Sequence, residues 1–269
     1  MKNLLKIVLL NLLVVCLWQI PVNGQTPATK LQAEAANATV EGGIEHSSVS
    51  EPLNILFVLD CSFSMKEKLA DHTQRIEAAK QVLQNALARI PGDVNLGLRV
   101  FGQGDARGMG MYANDCQQTA LLVPLGQGNR RAILEQVRSL RATGMTPLTF
   151  ALQQCAQYDF AGAPGKKIII LISDGADTCG GDPCKLISML PAYGIKIKVD
   201  VVGLDLKHDR AARAQLNCIT EASGGKYYDV DSAGQFIDSV TESVNKAISG
   251  RVLPRPGMPA SKNAEILGE

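Results

Sequence analysis

The chain has 269 residues, of which 46% are apolar and 20% charged, the composition of a folded globular protein and not of a disordered one. Its 27 Lys+Arg against 26 Asp+Glu give a formal net charge of +1, which argues against nucleic acid as a partner because that surface needs a clustered basic excess. The length fits one large or two small domains.

Lys2 and Lys6 open the chain, and Ile7 to Trp18 is apolar except for Asn11. Pro21 breaks this run before Val22-Asn23-Gly24. The run is too short to cross a bilayer comfortably, so residues 1–24 are predicted to be a cleaved signal peptide, with no transmembrane span in the mature chain. Leu13-Val14-Val15-Cys16 is not a lipoprotein box, because Val15 is bulky and the apolar run continues past Cys16. Cleavage removes two Lys, leaving 27 − 2 = 25 bases against 26 acids. The mature protein is expected to be near neutral, and secreted or periplasmic.

Residues 25–50, rich in Ala, Thr, Ser, Gly and Glu, read as a flexible leader. Leu53–Leu59 is a continuous apolar run, as in a strand buried on both faces. Arg75–Ile90 carries apolar residues at helical spacing (Ile76, Ala79, Val82, Leu83, Ala86, Ile90). Val94–Phe101 and Thr119–Leu125 read as strands around a long Gly-rich loop, Asn129–Leu140 as a helix, and Pro147–Tyr158 as a helix with Pro in its first turn. Lys167–Ser173 is the second fully buried strand. It is followed by a helix at Pro183–Leu190, a strand at Ile195–Val202, a helix at Arg210–Ala222, a short strand at Lys226–Val230 and a closing helix at Ser232–Ser249. The tail, 251–269, holds Pro254, Pro256, Gly257 and Pro259 and is expected to be disordered. Strands alternating with helices imply an α/β domain over 51–250: a Rossmann-like, doubly wound, mostly parallel sheet of about six strands with helices on both faces.

Without Cys16, six cysteines remain: Cys61, Cys116, Cys155, Cys179, Cys184 and Cys218. An even number in an oxidising compartment points to disulfides, with 15 possible pairings and no basis for choosing among them. Zinc is the weaker alternative, since there is no CxxC pair and no His close to a Cys.

Ligands in this architecture bind beyond the carboxyl ends of the strands. The first buried strand ends in Asp60-Cys61-Ser62-Phe63-Ser64, and the second in Ser173-Asp174-Gly175. Gly144-Met145-Thr146-Pro147-Leu148 precedes a helix between them. Together these segments offer two carboxylates and three hydroxyls at one sheet edge, hard oxygen donors suited to Mg²⁺. Each segment alone also reads as turn or cap chemistry; it is their joint occurrence, in this order, that points to a metal.

Asp60-x-Ser62-x-Ser64, then Thr146, then Asp174 resembles the complete metal-ion-dependent adhesion site of von Willebrand factor type A domains, over roughly residues 51–250. The resemblance implies that Ser62 and Ser64 bind the ion directly. Thr146, Asp60 and Asp174 would bind it directly or through water, and a partner's acidic residue would often fill the last position. The ion would be Mg²⁺, or Mn²⁺ or Ca²⁺. Several further segments look like exported bacterial members of that family, Thr178-Cys179-Gly180-Gly181-Asp182-Pro183-Cys184 among them. Some of those proteins are labelled after calcium-activated chloride channels, but no pore-forming segment is present. Cys61 and Cys155 look like additions to that subgroup, and a Cys61–Cys155 bridge is one expectation.

Residues 101–118 rim this face and are expected to help choose the partner, while Asp177 and Asp182 are expected to be solvated loop carboxylates. Gly162-Ala163-Pro164-Gly165-Lys166-Lys167 lacks the spacing of a phosphate loop, so no nucleotide is expected. No GxSxG is present, and His46, His72 and His208 fall in the leader or in turns, so the chain is not expected to be an enzyme. The expected function is cation-dependent protein binding or adhesion, through a partner protein or matrix ligand offering a Glu or Asp carboxylate. The alternative is a structural subunit of an envelope assembly in which the ion only stiffens the loops.

Overall fold

The computed structural model describes residues 51–103 and 115–249. The expectations for the signal peptide, the leader, the tail and the middle of the 101–118 loop lie outside the described residues. Among the described residues, six strands and six α-helices follow one another as β1 (Leu53–Asp60), α1 (Arg75–Arg89), β2 (Asn95–Phe101), β3 (Thr119–Gly126), α2 (Arg130–Ser139), α3 (Leu148–Gln154), β4 (Lys166–Ser173), α4 (Pro183–Met189), β5 (Lys198–Leu204), α5 (Arg210–Ser223), β6 (Tyr227–Val230) and α6 (Ala233–Ser249). They form one sheet of order β3-β2-β1-β4-β5-β6, in which only the edge pair β2–β3 is antiparallel. This is the doubly wound α/β class expected from the alternation of elements.

The two apolar runs occupy the centre because they alone can be buried on both faces. All eight residues of β1 are buried. Alternate side chains then feed separate cores. Ile55, Phe57 and Leu59 pack with residues of α1, α2 and α6, whereas Leu56 and Val58 pack with residues of α3, α4 and α5. Because β1 lies between β2 and β4, the chain leaves these central strands in opposite directions and opens a crevice at their carboxyl ends.

Two elements depart from the periodicity reading. The expected helix over 147–158 is α-helical only to Gln154 and continues as a π-helical turn, Cys155–Asp159. That turn delivers the buried Asp159 carboxylate to Arg99 of β2, as a two-pronged pair at 2.5 and 2.7 Å. The fifth strand starts at Lys198 instead of Ile195, because the Ile195 amide donates to Leu190 O at 3.1 Å and completes the preceding helix end around Gly194.

Disulfides join Cys116 to Cys179 and Cys184 to Cys218. The first ties the β2–β3 loop to the loop after β4, and the second ties α4 to α5. The expected Cys61–Cys155 bridge does not form: both thiols are free and buried, Cys61 in one core and Cys155 in the other, with the sheet between them. Burial pushes both thiols up in pKa. Among the described residues, no helix is long and apolar enough to cross a membrane.

Candidate metal centre

β1 delivers Asp60 to the crevice with its side chain fully buried. Asp60 Oδ1 accepts from the Ser62 amide at 2.7 Å, turning the chain sharply into a short 3₁₀ helix, Phe63–Lys66. The turn is closed from the other side by the segment before α3. The Thr143 amide donates to Cys61 O at 2.9 Å, the Phe63 amide to Gly144 O at 2.8 Å and the Gly144 amide to Gly102 O at 2.7 Å. Gly102 adopts φ +73°, and a Cβ there would lie 2.4 Å from Met145 O and 2.8 Å from Ser62 N. Only glycine fits where these backbones meet.

The structure brings Ser62, Ser64 and Asp174 into one chain of oxygens: Ser62 Oγ lies 3.1 Å from Ser64 Oγ, which donates to Asp174 Oδ1 at 2.7 Å. Asp60 joins through its bond to the Ser62 amide. The buried Thr146 is tied by its backbone to the loop after β4, its amide donating to Thr178 Oγ1 at 2.8 Å and its carbonyl accepting from the Thr178 amide at 3.1 Å. Among the described residues no cluster of three or more His, Cys, Asp or Glu suited to a metal is present; the five candidates supply two carboxylates and three hydroxyls. That donor set fits a hard cation. Neighbouring oxygens of an octahedral Mg²⁺, with metal–oxygen distances of about 2.1 Å, sit about 3 Å apart, and the Ser62–Ser64 and Ser64–Asp174 separations fall close to this.

The electrostatics also ask for a cation. Burial, reinforced by the Asp174 carboxylate, pushes Asp60 up to about 7 from an ordinary 3.8. Burial raises Asp174 as well, although hydrogen bonds from Ser64 and Arg75 oppose the shift. Two carboxylates so placed are costly to ionise together without a counter-charge.

The sequence reading missed two residues that hold these carboxylates. Ser173, at the end of β4 and fully buried, donates its hydroxyl to Asp60 Oδ2 at 2.6 Å. Arg75, the first residue of α1, is also buried. Its Nη1 donates to Asp174 Oδ2 at 2.8 Å and lies 3.0 Å from Glu67 Oε2, while Nη2 donates to Asp205 Oδ2 at 2.7 Å. A cation at the positive end of a helix is unfavourable unless carboxylates surround it, and that was the available signal.

The loop after β4 is built by Asp177, which is not the solvated carboxylate expected. Its Oδ2 accepts from the Thr149 amide at 2.7 Å, and its Oδ1 from the Cys179 and Gly181 amides at 2.8 and 3.0 Å. Asp182 caps α4 by accepting from the Lys185 amide at 2.9 Å. Beside the serines, Phe63 is 64% and Met145 43% exposed, and Lys66 Nζ stands 4.4 Å from the Phe63 ring centroid. Apolar side chains therefore flank the oxygen cluster on the open face.

Comparison with known proteins gives a coherent picture. A Bacillus subtilis (strain 168) protein, YwmD, described as uncharacterized, is 30% identical over 184 residues, covering 68% of this chain and 81% of that protein. A von Willebrand factor type A structure from Catenulispora acidiphila superposes with a TM-score of 0.59 at 19% identity; the match covers 73% of this chain and 43% of that one. Proximal thread matrix protein 1 of the mussel byssus, in a structure described as having a zinc-occupied MIDAS motif, superposes with a TM-score of 0.55 at 16% identity, covering 74% and 46%. The profile of the von Willebrand factor type A domain matches residues 54–243, more than half of the chain and all six strands but the first residue of β1. The chain belongs to the von Willebrand factor type A domain family.

Proposed function

We propose that this protein is an exported, divalent-cation-dependent binding module that recognises an acidic group of a protein or matrix partner through a complete metal-ion-dependent adhesion site. The observation that carries this reading is the run of oxygens from Ser62 through Ser64 to the buried Asp174 carboxylate, at 3.1 and 2.7 Å, with the buried Asp60 bonded to the Ser62 amide. Ser62, Ser64 and Thr146 would hold the ion, and Asp60 and Asp174 would fix its charge and its waters. Mg²⁺, Mn²⁺ and Ca²⁺ all suit oxygen donors, and a zinc-filled site in a protein of the same fold supports divalent binding. The bound ion supplies a positive centre for an incoming carboxylate. Hydroxyl donors are neutral, so much of the ion's charge stays uncompensated. Phe63 and Met145 give the partner an apolar rim, and the Cys116–Cys179 bridge ties the residues just before β3 to the loop after β4. Binding, without turnover, needs no general base. Two disulfides in the domain support an oxidising, extracytoplasmic location.

The test is selection of Asp- and Glu-containing displayed peptides in Mn²⁺, followed by chelator and by Asp60→Ala or Ser64→Ala proteins verified as folded. Retention that is lost on each treatment supports the module, and retention that survives all of them contradicts it. The alternative, a scaffold whose loops are merely stiffened, is favoured by one observation: Arg75 already gives Asp174 a cation from within the chain. On that reading partner contact is indifferent to Asp174→Ala.

A further inference from the structure

The guanidinium of Arg75 is built into the candidate metal centre with more care than a helix-start residue requires. It is 7% exposed, it meets three carboxylates from three separate segments, and its Nε is buried without a hydrogen-bond partner among the described residues. One of those carboxylates, Asp205, holds a left-handed backbone conformation at φ +54°, which a non-glycine residue adopts at a cost. The Asp205 amide is fixed there by donation to Val230 O at 2.6 Å. A strained residue thus directs its side chain onto Arg75 at the carboxyl end of β5. Arg75 in turn takes Oδ2 of Asp174, leaving Oδ1 facing Ser64. The two oxygens of one carboxylate are divided between an internal cation and the hydroxyl cluster.

We propose that Arg75 is an intrinsic counter-cation of the metal centre that lowers its affinity for a divalent ion by taking up part of the Asp174 charge, which leaves the bound ion less fully neutralised towards a partner. This rests on the reading of the five oxygen donors as a metal site. Ionised Asp60 and Asp174 carry the charge that would balance a divalent ion, and Arg75 takes up part of it through its ion pair with Asp174, with a guanidinium that also meets Asp205 and Glu67. Asp205 and Glu67 share the guanidinium with Asp174 and so limit the penalty on the ion. Like charges separated by several ångströms in a partly buried site interact strongly enough to shift an equilibrium by about tenfold or more. The expected profile is a weak ion site with a strongly electrophilic ion.

The experiment is titration of the purified protein with Mn²⁺ by calorimetry, using Ser62→Ala to identify which heat belongs to the site. Arg75→Gln should bind Mn²⁺ roughly tenfold more tightly, while Arg75→Lys, which keeps the charge, should stay within about twofold. Asp205→Asn should weaken binding severalfold, since the guanidinium then falls back on Asp174, and this effect should shrink in the Arg75→Gln background. Wild-type binding that depends on Ser62 but is unchanged or weakened in Arg75→Gln overturns the proposal and leaves the metal site standing. Should Arg75→Gln fail to fold, unchanged or tighter binding in Asp205→Asn overturns it equally. Absence of Ser62-dependent binding in every folded protein removes the metal site itself and the proposal with it.

Discussion

Replacing Gly102 with alanine tests how the candidate site is closed. The residue sits at φ +73°, a conformation that costs an L-residue about 1–2 kcal/mol. An added Cβ would also meet Met145 O at 2.4 Å, Ser62 N at 2.8 Å and Ser62 Cα at 2.9 Å. All three are backbone atoms that no side-chain rotation can move, so overpacking adds about 1–3 kcal/mol. Gly128 provides the control, since it has φ +74° but nothing within 4 Å of its Cβ position. Gly128→Ala should cost about 1 kcal/mol, and Gly102→Ala about 3–4 kcal/mol. For a domain of this size these amount to falls in melting temperature of about 3 °C and about 10 °C. Urea unfolding at constant m-value reads both. Gly102→Ala should in addition weaken cation binding, because the added Cβ presses on the backbone of Ser62, a candidate ion ligand. Equal losses in the two variants would refute the close-approach argument.

Other consequences follow from the same geometry. Asp60 has a folded pKa of about 7, above its ordinary 3.8, so its contribution to the stability of the metal-free protein is complete below about pH 4 and is lost as pH rises through 7. A cation favours the ionised form, so stabilisation by Mn²⁺ should be larger at pH 8 than at pH 5.5, with Asp60→Asn flattening the difference; a cation effect that falls with pH would contradict this. The Cys116–Cys179 and Cys184–Cys218 bridges span separations of 63 and 34 residues. On the loop-entropy account, opening either one should cost about 4 kcal/mol. Paired Cys→Ser variants followed by urea unfolding measure this, and losses under about 1 kcal/mol would show that the unfolded chain is already constrained.

Much of the fold was legible because β1 and β4 are apolar throughout, and only the centre of a covered parallel sheet accommodates such runs. The candidate residues stand out in the sequence because they lie at strand ends or just before a helix, and the structure links Asp60, Ser62, Ser64 and Asp174 by hydrogen bonds. What escaped was whatever depends on partners distant in sequence. Arg75 looks like an ordinary polar helix start until Asp174 and Asp205, 99 and 130 residues away, are folded around it. Ser173 reads as the last residue of a buried strand, and its bond to Asp60, 113 residues away, appears only when β4 lies beside β1. The Cys61–Cys155 expectation judged proximity along the strand ends and ignored the sheet between the two cores. The start of β5 differs because helix termination at Gly194 captures Ile195, a backbone effect that side-chain periodicity does not carry.

The central claim is that Ser62, Ser64, Thr146, Asp60 and Asp174 hold a divalent ion. Thermal unfolding in chelator and then in saturating Mn²⁺ or Mg²⁺, with Ser62→Ala alongside, tests it most directly. At 100 times the dissociation constant the ion should stabilise the wild-type protein by about 2.7 kcal/mol, a rise of several degrees, and Ser62→Ala should show no rise. An unchanged melting temperature in the wild-type protein, or an equal rise in Ser62→Ala, would contradict the account.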